Sequence, residues 1–157
     1  MPDMLVKLYE LPPLQPYLDK MAGQGVQLRR GLPPEKHNVL KWVGEHFSPF
    51  WVSETDVAFG HQPPGVFVAT ENDKLLGFAC IDATARGVFG PTGVDEATRG
   101  RGIGAALLLI ALHDMRARGY AYGVIGGAGP TEFYAKIVGA VEIPDSWPGL
   151  YTGLLRA

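Results

Sequence analysis

Between Arg99 and Leu108 the chain reads Arg99-Gly100-Arg101-Gly102-Ile103-Gly104-Ala105-Ala106-Leu107-Leu108, two arginines and three glycines running straight into an apolar stretch. Glycines at 100, 102 and 104 let successive backbone N–H groups converge on one point without Cβ interference. A helix begun there adds its unpaired first-turn donors and the positive end of its dipole. The chemistry of such a turn is anion binding, and a phosphate-bearing ligand is its natural guest. The other reactive side chain that draws the eye, Cys80, sits in the apolar run Leu75-Leu76-Gly77-Phe78-Ala79-Cys80-Ile81 and reads as a buried strand thiol rather than a nucleophile.

The elements that must position this turn follow from pattern and punctuation. Met4 to Tyr9 alternates weakly and reads as a first strand, closed by Pro12-Pro13 and followed by a short helix around Leu14 to Met21. Val26 to Arg30 reads as a strand, and Pro33-Pro34 opens a helix carrying Val39, Leu40, Val43 and Phe47 at helical spacing. A second helix spans Ser53 to Phe59. Gly65 to Glu71 and Leu75 to Asp82 form a hairpin across Asn72-Asp73-Lys74. In the next run, Arg86 to Val94, the residues Gly90, Pro91 and Gly93 predict a kinked or splayed second half. A helix from Ile103 to Arg118 stops at Gly119, a strand covers Tyr120 to Ile125, and Gly126 to Pro130 is a hinge. Thr131 to Val138 is a short helix, and two last strands are expected near Ala140 to Ile143 and Leu150 to Leu155. The fold class is α+β, a mixed sheet whose antiparallel half leads into a parallel crossover.

Composition bounds the function. The 157 residues, 46% of them apolar, suit one domain with a substantial core. A formal charge of −2 gives no general pull toward nucleic acid or an anionic membrane, so the arginines of the turn are a local feature. One cysteine has no partner for an internal disulfide, Met1-Pro2-Asp3 carries no basic n-region, and no apolar run nears the roughly eighteen residues of a membrane span. The expectation is a cytoplasmic protein. A small molecule is the expected partner, with a homodimer allowed for by the aromatic character of Trp42, Phe47, Phe50 and Trp51.

A dinucleotide fingerprint is formally present as Gly100, Gly102 and Ala105, but the polar segment Asp95 to Thr98 precedes it where a buried parallel strand belongs. A Walker loop would need a lysine and a Ser/Thr pair to close the turn. Neither fits. The segment Val94 to Leu108 instead resembles the acetyl-CoA-binding segment of the GCN5-related N-acetyltransferases, whose pattern of Arg or Gln, two residues, Gly, one residue, Gly or Ala is met by Arg99, Gly102 and Gly104. Phe133-Tyr134-Ala135-Lys136 followed by Gly139 resembles that family's Phe-Tyr-Glu-Lys-Leu-Gly segment. The order of elements from residue 26 to 157 fits the family domain, while residues 1–25, a strand plus a short helix, look like an N-terminal extension packed on it.

The resemblance implies a mostly antiparallel sheet flanked by helices, in which the strands ending near Val94 and starting near Tyr120 splay apart to admit acetyl-CoA. It implies transfer of an acetyl group to a primary amine of a small molecule in a ternary complex, with acetyl-CoA as co-substrate and no metal. Backbone amides of Gly100, Arg101, Gly102, Ile103, Gly104 and Ala105 would hold the pyrophosphate, with Arg99 and the Arg101 side chain near the phosphates. Gly93 and Val94 would pair with the pantetheine arm, and Gly127 and Lys136 would complete the cofactor side. Tyr134 matches the tyrosine that protonates the departing thiolate; a phenol near pKa 10 suits a thiolate of comparable basicity. Glu54 leads the candidates for the base, ahead of Asp56, His46, His61 and Asp82. A chain that keeps the cradle without transfer, acting as an acyl-CoA sensor or interaction module, is the alternative.

Overall fold

A computed structural model describes residues 1–156. Its strands are β1 (Met4–Lys7), β2 (Gln27–Arg30), β3 (Val66–Glu71), β4 (Lys74–Ile81), β5 (Val88–Val94), β6 (Tyr122–Ile125) and β7 (Val141–Glu142). Among the described residues five α-helices flank them: α1 (Gln15–Gly23), α2 (Lys36–His46), α3 (Pro49–Phe59), α4 (Ile103–Ala117) and α5 (Thr131–Val138). The strands form one sheet in the order β2-β3-β4-β5-β6-β1-β7, antiparallel throughout except at β5–β6. Two helices start elsewhere than their sequence suggests: Pro33–Glu35 is a 3-10 turn ahead of α2, and α3 begins at Pro49 rather than Ser53, because Ser48 and Pro49 supply the cap and the first turn. Ser48 caps α3, its Oγ accepting the Trp51 N–H at 3.4 Å with Pro49 in the first turn, and Gly139 ends α5 at φ +66°. The β3–β4 turn places Asn72 and Asp73 at φ +50° and +63°, the twist a two-residue hairpin prefers.

Two apolar cores lie on opposite faces. The larger one packs α1, α4 and α5 against the sheet through a stripe on α4 that includes Leu107, Leu108, Leu112 and Met115. The smaller packs α2 and α3 against β3 and β4 through Val43, Ala58, Val68, Phe78 and Cys80. Cys80 is fully buried, and burial pushes its thiol up to about 12, against a small opposing effect of the Thr55 hydroxyl; the thiol is inert.

The first strand takes a place that its sequence position does not suggest. β1 lies inside the sheet, antiparallel to β6 on one side (Met4↔Ile125, Val6↔Gly123) and to β7 on the other (Met4↔Glu142). Its alternation puts Met4 and Val6 into the large core, and Leu8 just beyond it is equally buried. Residues 4–7 therefore complete the same sheet as the rest of the chain. The strand expected at Leu150 to Leu155 is absent: Gly149–Tyr151 is a single 3-10 turn. The physical reason is that β1 already fills the slot between β6 and β7, and Pro148, Gly149 and Gly153 favour turns in the segment left over.

The sheet opens where the glycines and proline of β5 predict. β5 pairs with β6 only at Val88↔Val124 and Phe89↔Ile125. Gly90 then turns the strand at φ +120°, and the β4–β5 register slips between Ala79 and Ile81. From Thr92 to Val94 the strand keeps β4 alone as its partner, so one backbone edge faces a gap.

Candidate active site

The glycine turn follows β5 directly, just beyond Val94. Asp95 closes a short turn by accepting the Ala97 N–H, then Gly100 and Gly102 adopt φ +87° and +85°, which only glycine takes without strain. Gly102 is the N-cap of α4, and the first helical bond in the turn is Ala106 N–H to the Gly102 carbonyl at 3.1 Å. The amides of Ile103, Gly104 and Ala105 are thereby left pointing off the helix end, at the positive pole of a fifteen-residue dipole. They line a cleft of about 540 Å³ whose other walls are Val94, Arg99, Phe133 and Tyr134. A Cβ at Gly104 would stand 3.8 Å from Val94 and 3.9 Å from Phe133, and one at Gly100 would meet nothing within 4 Å. The cradle is therefore open space bounded by amide donors.

Its charge comes from an unexpected pair. Arg99 is exposed in the cleft, but the second cation there is Lys20 of α1, whose Nζ lies 2.9 Å from where a Cβ of Gly102 would stand. Arg101 turns away. Its guanidinium binds Glu71 at 2.7 Å and the Gln24 side chain at 3.1 Å, while Gln24 Nε2 donates back to the Arg101 carbonyl at 3.0 Å. The hydrogen bond from Arg101 holds the Glu71 carboxyl below its ordinary value. Arg101 is thus a clasp that fastens the end of α1 to the cradle and so brings Lys20 to it. No local motif marks Lys20; only the docking of α1 does.

A second cavity, about 390 Å³, lies on the far side of Tyr134. Its walls come from α3, from the kink of β5, from Gly126 and Gly127, and from the C-terminal segment. On α3 the residues Phe50, Trp51 and Glu54 share one stripe at three- and four-residue spacing, bordering the buried Thr55, Ala58 and Phe59. The Thr84 hydroxyl donates to the Glu54 carboxylate. Tyr151 approaches from the other wall, its Oη 3.7 Å from where a Cβ of Gly126 would be. Burial pushes the Tyr151 phenol above its ordinary value, with the Glu54 and Asp3 carboxylates adding to that and Thr84 opposing it.

Tyr134 lines both spaces. It is 7% exposed, packs edge-on against Phe133 at 5.1 Å between ring centroids, and burial alone pushes its phenol above the ordinary value. The hydroxyl is consequently protonated throughout the neutral range.

The remaining expected residues fall outside the cleft. Gly93 lies beneath the Phe47 ring, which fills the space a Cβ would need, so the face without a side chain is covered by the end of α2. Gly127 lines the second cavity, and its N–H is already spent on Asp3 Oδ1 at 2.8 Å. Lys136 is exposed on α5 and lines neither space. Among the base candidates, Asp56 pairs with Lys36 at 2.7 Å, His46 stacks on Trp42, and His61 Nε2 lies 2.7 Å from the Asp82 carbonyl. The Asp82 carboxylate takes the Gly87 N–H and the Tyr120 hydroxyl. Glu54 alone of the five lines the cavity that Tyr134 borders.

Comparison with known proteins agrees with this arrangement. A family model described as Acetyltransferase (GNAT) family matches residues 34–140. No curated protein matches the chain. A GCN5-related glucosamine N-acetyltransferase region of a fungal multi-domain GH3 β-N-acetylglucosaminidase superposes with a TM-score of 0.74 at 16% identity, over 90% of this chain and 19% of that one. A GCN5-related N-acetyltransferase from Sphaerobacter thermophilus gives 0.68 at 23% identity, over 90% of this chain and 48% of that one. The chain thus spans half or less of these two proteins. A GNAT family acetyltransferase from Brucella melitensis, solved in complex with acetyl-CoA, gives 0.53 at 20% identity, over 76% and 91%. The family match runs from the start of α2 to the end of α5 and so takes in the opened β5–β6 pair, the glycine turn and Tyr134: the chain belongs to the GNAT acetyltransferase family.

Proposed function

We propose that the protein moves an acetyl group from acetyl-CoA to the primary amine of a small molecule, by direct attack within a ternary complex. The observation that carries this reading is that Tyr134 is the wall common to the cradle cleft and the second cavity, so ligands in the two spaces would meet at one side chain. The cleft suits the cofactor: the amides of Ile103, Gly104 and Ala105 with Arg99 and Lys20 would hold the pyrophosphate, and the unpaired edge of β5 near Val94 would bond the pantetheine amides. Acetyl-CoA supplies the activated thioester. The amine of the acceptor attacks from the second cavity, where Glu54, steadied by the Thr84 hydroxyl, accepts its proton directly or through a water. Tyr134 gives its phenolic proton to the sulfur as the C–S bond breaks, and it is later reprotonated from solvent. Arg101, Gly127 and Lys136 have no part in this reading.

Free thiol release from acetyl-CoA, followed over a panel of amines, tests it. Tyr134→Phe is expected to lower kcat by about a hundredfold to ten-thousandfold with acetyl-CoA affinity retained. Unchanged turnover in that variant would overturn the assignment. Because the protonated phenol is the competent form and its pKa is raised, the loss of turnover that Tyr134 ionisation causes sets in only above the ordinary tyrosine range, near pH 10. Cofactor binding with no thiol release for any amine would instead mark an acyl-CoA sensor without transfer.

A further inference from the structure

Resting on that reading, we infer that the acceptor is a monoamine on an aromatic body, an arylalkylamine, rather than an amino sugar or a polyamine. The second cavity is bounded by two facing apolar walls. Phe50 and Trp51 come from α3, and Trp147, Tyr151 and Leu154 from the C-terminal segment. Phe50, Trp147 and Leu154 are 41%, 52% and 41% exposed, so large apolar side chains left open to water gather at the rim of one space. The Trp147 and Tyr151 rings lie 6.3 Å apart between centroids, within the range of aromatic pairs, and offer their remaining surface to a flat guest.

Charge fixes how many ammonium groups the space accepts. Among the described residues the lining carries one carboxylate, Glu54, and one guanidinium, Arg156, held 6.0 Å from the Phe50 ring centroid. A single cation finds its partner at Glu54. A second ammonium group of a polyamine would come beside the Arg156 guanidinium and meet no further carboxylate among the lining residues, an uncompensated like-charge contact.

Hydrogen bonding argues against a sugar in the same way. Two hydroxyls of the lining are already committed as donors, Thr84 to Glu54 and Thr92 to the Phe78 carbonyl at 3.0 Å. A polyhydroxylated ring set against these aromatic walls would leave the hydroxyls that face them without partners, each an unmet desolvation cost. A cavity of about 390 Å³ with apolar walls and few convergent polar groups is the form that orients an aromatic ligand by one end.

The experiment compares tryptamine, glucosamine and spermidine. With saturating acetyl-CoA, thiol release should give tryptamine a kcat/KM about tenfold or more above the other two. Trp147→Ala should raise the tryptamine KM about tenfold while leaving the acetyl-CoA KM unchanged. Phe50→Ala, on the wall that α3 contributes, should act in the same direction. A higher kcat/KM for glucosamine or spermidine overturns the inference, as does a tryptamine KM unmoved in both variants. Calorimetric titration of each amine into the CoA-loaded protein separates the two readings. Preferential tryptamine binding without thiol release sustains the cavity assignment and removes the transfer reading. Turnover of another amine with no tryptamine binding does the reverse, and no binding and no turnover of any amine defeats both.

Discussion

The two spaces that meet at Tyr134 are built from different materials. The cradle is main chain: one contiguous segment, from Val94 to Ala105, bends through two left-handed glycines and delivers amide donors at the end of a helix. The second cavity owes its selectivity to side chains: α3, Thr84 and the C-terminal segment contribute walls that face the main chain of Gly90, Gly126 and Gly127, and nothing in the sequence joins them. Amide donors recognise a phosphate whatever else the ligand carries, so a backbone cradle is tolerant of change around it. Side-chain walls recognise one shape and one charge, and a single substitution redraws them. The cofactor side should accordingly break only when its space is filled, and the acceptor side whenever a wall changes.

The sharpest way to break that contrast is to fill the cradle. Gly104→Trp places an indole in the cleft and is expected to weaken acetyl-CoA binding about a hundredfold, equivalent to about 2.7 kcal/mol, by calorimetry. Gly104→Ala is the control, since its Cβ would make only ordinary contacts at 3.8 Å and 3.9 Å. Equal cofactor affinity in Gly104→Trp and wild type would show that the ligand does not lie against this turn. On the other side of Tyr134, Glu54→Gln keeps the shape of the wall and removes its charge. It should lower kcat/KM for the amine roughly tenfold to a hundredfold and leave the cofactor dissociation constant where it was. A matching loss of cofactor affinity would mean that the two spaces are not separate.

The same difference of material explains what the sequence discloses. Local rules place nearly every element: Pro33-Pro34 before α2, Asn72-Asp73 between β3 and β4, Gly119 after α4 and the broken second half of β5 all act within a few residues of themselves. The glycine turn is legible for that reason, as is the gap beside it. What is not legible depends on partners distant along the chain. Met4–Lys7 and Leu150 to Leu155 carry comparable strand signals, and the choice between them for the slot beside β6 rests on the tertiary fit of Met4, Val6 and Leu8 in the large core. Asp3 then ties that choice to the site, accepting the Gly127 N–H and donating its own to Ser146 Oγ at 2.8 Å. Lys20 reaches the cradle only because α1 docks there. Glu54 is distinguished from the other candidate bases by facing the cavity, a property of the α2–α3 packing rather than of any spacing.

The smallest effect separates two arginines that a motif treats alike. Arg99 is exposed in the cleft and takes no part in an ion pair among the described residues, whereas Arg101 is held by Glu71 and Gln24. Arg99→Ala should weaken cofactor binding about three- to tenfold and flatten its salt dependence, since a screened surface charge contributes modestly. Arg101→Ala should leave the direct phosphate contact in place and act on stability instead. The Glu71 carboxyl is held below its ordinary value in the folded protein, so this pair stabilises above the usual glutamate range, near pH 4.3, and its contribution drains away as pH falls through the lowered value. Removing Arg101 should therefore shrink the difference in Tm between neutral and acidic solution. If Arg101→Ala instead costs as much cofactor affinity as Arg99→Ala with no change in that difference, the clasp between α1 and the cradle is not what Arg101 is for. In that case Lys20 reaches the phosphates by some other support, and the cradle is less purely a backbone device than its geometry implies.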